Sequence, residues 1–142
     1  MPKAEKVFVV DRPIEEVWEF LSDMVLVGSC LPGCEKVQVL DGADSEWTIK
    51  VKLGPISKTI LARAHTTEFQ PPNRAAFVAE SPELHLEGSL DLRPISSEQT
   101  EVTYRSTVKG KGSLEKLLGQ ILAGRLDGDA EAFAVNVRTR LA

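Results

Sequence analysis

A chain of 142 residues with 42% hydrophobic and 27% charged side chains is long enough for one packed core and too apolar to stay disordered. Its formal charge of -4, from 21 acidic and 17 basic residues with no basic run, disfavours nucleic acid as a partner. No apolar stretch reaches the roughly 18 residues that cross a bilayer and no signal peptide is legible, so one soluble cytoplasmic domain over 1–142 is expected.

Lys6-Val7-Phe8-Val9-Val10 is short, β-branched and aromatic, and Asp11-Arg12-Pro13 ends it as a first strand. Pro13 suits the first turn of a helix, Glu15 and Glu16 complement its positive end, and Ile14, Val17, Trp18 and Leu21 recur at helical spacing. Ser22-Asp23 is a cap for a second short helix through Met24, Leu26 and Val27, which Pro32-Gly33 terminates near Leu31. Cys30 and Cys34 flank that turn. With neither histidine near them in sequence they lack the ligands of a zinc site, and they are expected to pack as small apolar groups, a disulfide between them being left open.

The period then changes to two. Over Glu46 to Leu53, Trp47, Ile49, Val51 and Leu53 alternate with polar residues; Leu84, Leu86, Leu90 and Leu92 repeat the pattern, as do Val102, Tyr104 and Val108. These read as half-buried antiparallel strands, and turns at Asp41-Gly42, Gly54-Pro55, Pro71-Pro72-Asn73, Ser81-Pro82 and Ser96-Ser97 make a meander the simplest topology. Between Lys58 and Phe69 apolar residues fall on both faces, leaving the inward one undecided. Gly88 inside the second of these strands suggests a bend or bulge.

After Gly110-Lys111-Gly112 the spacing returns to three and four: Leu114, Leu117, Leu118, Ile121, Leu122, Leu126, Ala130, Phe133, Val137 and Leu141 form one stripe. A long helix lying diagonally across the sheet is expected, with a break near Asp127-Gly128 left open because Gly119, Gly124 and Gly128 weaken it. The sum is an α+β fold: a curved antiparallel sheet of about seven strands around a long C-terminal helix, with two short helices after strand 1.

That element order is similar to the START-like, Bet v 1-type helix-grip domains of the SRPBCC superfamily. Within it, PIEEVWEFLSD from Pro13, CLPGCEKV from Cys30 and VKLGPIS from Val51 resemble the CoxG family of carbon monoxide dehydrogenase subunits over nearly the whole chain. The resemblance implies an apolar cavity between sheet and helix, a quinone-like or lipid-like ligand in place of a fixed cofactor, and a molybdenum hydroxylase such as carbon monoxide dehydrogenase as partner. Some relatives reach the membrane through a C-terminal extension; with Ala142 directly after the helix, contact at most peripheral, at the inner face of the membrane, is expected here.

The inward candidates for such a cavity are Trp47, Ile49, Val51, Phe77, Leu84, Leu86, Leu90 and Tyr104 from strands, facing Leu118, Leu122 and Phe133 of the helix; apolar stripes of this kind also serve as plain core. Tyr104, the one tyrosine, sits on an apolar face with a hydroxyl in need of a partner, which a ligand carbonyl, backbone or water could supply. No catalytic or metal-binding residue is expected: His65 and His85 lie on different strands and no nucleophile or metal motif accompanies them. A polyketide cyclase or dehydratase-like enzyme, which an inward His65 or an inward titratable pair would favour, and an assembly module without ligand, which a collapsed cavity would favour, are the alternatives to a non-enzymatic carrier.

Overall fold

Strands with one apolar face must lay that face on something, and here a single sheet lays it on one long helix. The computed structural model describes residues 3–112 and 115–142, apart from the side chains of Leu53 and Leu118. Its elements are β1 (Lys3–Val10), α1 (Ile14–Leu21), α2 (Met24–Cys30), β2 (Cys34–Val39), β3 (Asp44–Leu53), β4 (Ile56–Gln70), β5 (Arg74–Glu80), β6 (Leu84–Ser96), β7 (Gln99–Gly110) and α3 (Glu115–Arg140). The expected start of the long helix, at Ser113 and Leu114, lies outside the described residues.

Seven antiparallel strands stand in the order β1-β7-β6-β5-β4-β3-β2. Strands β2 to β7 are the expected meander; β7 then pairs with β1 along its whole length, from Lys3 opposite Thr107 to Val10 opposite Thr100. Because β1 and β2 are opposite edges of the sheet, α1 and α2 carry the chain from one edge to the other. This curved sheet around a terminal helix is the helix-grip arrangement.

The short helices are set by local chemistry. The Glu16 and Val17 amides donate to the Pro13 carbonyl to open α1, and Asp23 Oδ1 accepts from the Val25 and Leu26 amides at 2.9 and 3.3 Å to open α2. After α2, Gly33 takes the left-handed φ of +83° and its carbonyl accepts from the Lys50 amide at 2.8 Å. A Cβ at Gly33 would also meet the Lys50 carbonyl at 3.0 Å, so the CLPGC turn is docked backbone to backbone on β3. The same turn leads into β2, a short edge strand that the sequence pattern does not single out, since four of its six residues are exposed.

The undecided face of β4 is now defined. Ile60, Ala62 and Ala64 are buried, whereas Leu61 and Phe69 on the other face are 58% and 57% exposed. Gly88 marks no bulge: β6 stays in register there, opposite Phe77 on β5 and Ser106 on β7, and the irregularities fall at Cys34/Lys36, Thr66/Glu68 and Pro94/Ser96 instead. Its missing side chain has another cause. A Cβ at Gly88 would lie 2.5 Å from the Phe77 ring, which fills the inward space over the glycine.

α3 runs unbroken for 26 residues, about 39 Å at the usual rise, so the break near Gly128 does not occur. It lies on the inward face, nearest β7 and β1. Its C-terminal half belongs to the main core, where Ala130, Phe133, Ala134 and Val137 meet Phe8, Val102, Tyr104 and the inner residues of α1 and α2. Its N-terminal half covers a smaller cluster of Val51, Ile60 and Leu84 with the partly buried Ile121 and Leu122. Leu117, expected on the apolar stripe, is 48% exposed. No described helix is long and apolar enough to cross a membrane.

Candidate functional site

Where the N-terminal half of α3 crosses the sheet, helix and strands do not close completely. A cavity of about 90 Å³ remains, roofed by Leu122, Arg125, Leu126 and Asp129, floored by Trp47, Ile49 and Val51 of β3, Leu84 and Leu86 of β6 and Tyr104, Ser106 and Val108 of β7, and walled at one side by Leu31, Pro32 and Cys34. The strand residues share it because alternate positions of three neighbouring or facing strands point the same way. The last three arrive through the docked CLPGC turn.

Of the expected cavity residues, Trp47, Ile49, Val51, Leu84, Leu86, Tyr104 and Leu122 come together here. Phe77 and Leu90 do not: they border a separate space of about 60 Å³ beneath α1 and α2, with Leu21, Met24 and Val27. Phe133 is not a cavity wall either, being wholly buried with its ring centroid 4.5 Å from that of Tyr104. It lies one turn beyond the roof, where the helix has already closed onto the sheet. The side chain of Leu118 lies outside the described residues.

The wall is mostly apolar, with a polar end that the sequence pattern does not announce. Tyr104 and Ser106, alternate residues of β7, are only 5% and 3% exposed, and Asp129 faces them from α3. Burial pushes the Tyr104 phenol up, the Ser106 hydroxyl beside it works the other way, and the Asp129 charge adds to the rise. Burial likewise raises the Asp129 carboxyl, against the Arg125 guanidinium 4.0 Å away. Among the described residues none of Tyr104 Oη, Ser106 Oγ and the Asp129 carboxylate is hydrogen-bonded to backbone; the two hydroxyls border the cavity side by side, and the carboxylate, one-third exposed, borders it beside Arg125. The signals for this end are in the sequence: Ser106 continues the Val102, Tyr104, Val108 alternation, and Arg125 and Asp129 stand four apart within the Leu122, Leu126, Ala130 stripe.

Of the other candidate groups, only Cys34 borders this space. His65 faces outward, 59% exposed, with Nδ1 2.7 Å from Asp44 Oδ1. His85 sits on the polar face of β6 between Glu80 and Glu87. Cys30 is buried in the core and Cys34 half-buried at the cavity wall, both as free thiols; burial pushes Cys34 up to about 11, keeping it protonated. No group of three or more histidine, cysteine or acidic side chains fit to hold a metal ion occurs among the described residues.

Residues 7–142 match the family model of CoxG, a carbon monoxide dehydrogenase subunit. No curated protein matches the sequence. Among solved structures, a conserved protein from Geobacillus kaustophilus is similar at a TM-score of 0.79 with 20% identity, over 98% of this chain and 94% of that one. A START superfamily protein from Mycobacterium smegmatis has a TM-score of 0.77 with 12% identity, over 98% and 96%. The Zhui aromatase/cyclase from Streptomyces sp. R1128 has a TM-score of 0.70 with 16% identity, over 98% and 92%. At these identities the likeness is one of fold.

Proposed function

The chain belongs to the CoxG family of carbon monoxide dehydrogenase subunits, and on that premise we propose that it holds an apolar small molecule, quinone-like or lipid-like, in the cavity beneath α3, as the carrier or accessory subunit of a carbon monoxide dehydrogenase-type molybdenum hydroxylase. The observation that carries this reading is the cavity's lining, in which nine of the sixteen residues are aliphatic or tryptophan. Trp47, Ile49, Val51, Leu84, Leu86, Tyr104 and Leu122 are the contacts proposed for the ligand, while Phe77, Leu90 and Phe133 support the walls from behind. Binding is then driven by removing apolar surface from water, at about 25 cal/mol per Å².

At about 90 Å³ the cavity is small beside the roughly 300–1,000 Å³ of typical ligand pockets. A ligand with a ring and tail therefore enters by lifting the roof, and the roof is the half-buried segment around Leu122 and Leu126 rather than the closed core around Phe133. The whole chain acts as one unit in this reading, in the cytoplasm and touching the membrane at most peripherally to collect or deliver its ligand.

A second reading has an observation of its own. Tyr104 and Asp129 form an inward-facing titratable pair, which suits a polyketide cyclase or dehydratase-like enzyme, although the outward His65 offers it no base. Native mass spectrometry of detergent-free protein, organic extraction and thermal shifts with menaquinone and ubiquinone analogues test the carrier. A co-purified quinone or a saturable stabilisation supports it. Empty protein without response to any analogue supports an assembly module, and turnover of a poly-β-keto thioester supports the enzyme.

A further inference from the structure

We propose that the polar end of the cavity under α3, made by Tyr104, Ser106 and Asp129, selects ligands presenting a hydroxyl donor, so that a phenol or hydroquinone is held in preference to its carbonyl or ether counterpart. This rests on the apolar-ligand reading and specifies the chemistry of its ligand.

The selection follows from donors and acceptors in a confined space. An ionised carboxylate only accepts hydrogen bonds, whereas a tyrosine or serine hydroxyl donates or accepts. A ligand O–H aimed between α3 and β7 can donate to Asp129 and accept from Tyr104 or Ser106, satisfying all of them at once. A carbonyl or ether oxygen can accept from the two hydroxyls, but it turns a lone pair toward the carboxylate, which then keeps only Arg125 as a partner. In water the mismatch would be cheap; beside hydroxyls only 5% and 3% exposed, and at a carboxylate two-thirds withdrawn from solvent, it costs more. Arg125, 4.0 Å from Asp129 on the same helix, favours the ionised carboxylate. The remaining walls are mostly apolar, so a second polar group on the ligand finds no partner among Trp47, Val51, Leu84 and Val108 and meets a charge again only beside Lys50.

Three ring compounds differing only at that position separate the cases: 4-butylphenol, 4-butylanisole and butylbenzene, titrated calorimetrically into the wild-type chain and into Asp129→Asn. The phenol is expected to bind the wild type about tenfold more tightly than the anisole, the scale of one hydrogen bond to a charged group. In Asp129→Asn the ratio should fall to about twofold or less, because an amide both donates and accepts. Equal binding of phenol and anisole to the wild type, or an unchanged ratio in the variant, overturns the inference and leaves the apolar-ligand reading intact. Failure of all three compounds to bind the wild type overturns that reading and the inference with it.

Discussion

The two halves of α3 lie on the same sheet and share one apolar stripe, yet they are held very differently. From Ala130 onward the helix is core: Phe133 and Val137 are wholly buried, and polar contacts tie the flanks down. Asn136 Nδ2 donates to the Cys30 carbonyl at 3.0 Å, Arg140 to Ser29 Oγ at 2.9 Å, and Arg12 Nε to the Leu141 carbonyl at 2.8 Å, while Lys6 pairs with Glu131. Before Ala130 the aliphatic residues with described side chains are half-buried or exposed, and the one ion pair recorded among the described residues, Arg125 with Asp129, is internal to the helix. The difference teaches that one element can be both clamp and roof. The clamp fixes the helix axis, and the roof leaves the cavity of about 90 Å³ beneath it.

Removing the clamp should cost most. Phe133→Ala deletes a fully buried ring whose centroid lies 4.5 Å from that of Tyr104, and a loss of about 3–5 kcal/mol is expected by denaturant titration. Leu122→Ala in the roof removes a partly buried side chain beside an existing void and should cost well under half as much. Equal losses would abolish the distinction between the halves.

The glycines sharpen it in the opposite direction. A Cβ added at Gly124 or Gly128 would meet nothing within 4 Å, so neither glycine is required by packing. Alanine at either position should stabilise the protein by about 0.5–1 kcal/mol through helix propensity and a less free unfolded chain. If the roof must bend to let a ligand pass, the same variants slow ligand association in stopped-flow measurements while hardly changing Phe133's surroundings. A loss of stability on Gly124→Ala would show instead that the roof is already packed.

Much of this fold is legible in the residues because burial on one face writes a period into them. Strands β3, β6 and β7 and both short helices follow from alternation, Pro13 and Asp23. Strand β4 hides its inward face because Leu61 and Phe69 put apolar side chains on the solvent side, and β2 is too short and exposed to register. Gly119, Gly124 and Gly128 argue for a helix break by propensity alone, but the anchored C-terminal half and the sheet beneath carry the helix through. The cavity is the least legible feature. Tyr104 and Phe133 read alike as inward aromatics, and only the approach of α3 to the sheet decides that one borders a space and the other fills it.

Asp129 sits at the boundary between clamp and roof, and it carries the smallest expected effect. Burial raises its folded-state pKa above the ordinary carboxyl value. Folding therefore favours the protonated form, and the native state holds more protons than the unfolded chain between the two values. The penalty on the charged form is present in full above the folded pKa, shrinks as pH falls through it, and is gone below the unfolded value. Asparagine carries no such penalty, so Asp129→Asn should be more stable than wild type at neutral pH. Because the side chain is one-third exposed and its pairing with Arg125 at 4.0 Å is lost as well, the gain is held below about 1 kcal/mol, roughly 3 °C. Calorimetric scans at pH 7 and about pH 3.5, beneath the ordinary Asp value, should show the gap closing in acid. A variant less stable than wild type at pH 7 would place Asp129 among the clamping residues. A more stable one marks it as a charge retained at the rim of the roof at a cost in stability, which is where a residue that serves a ligand rather than the fold belongs.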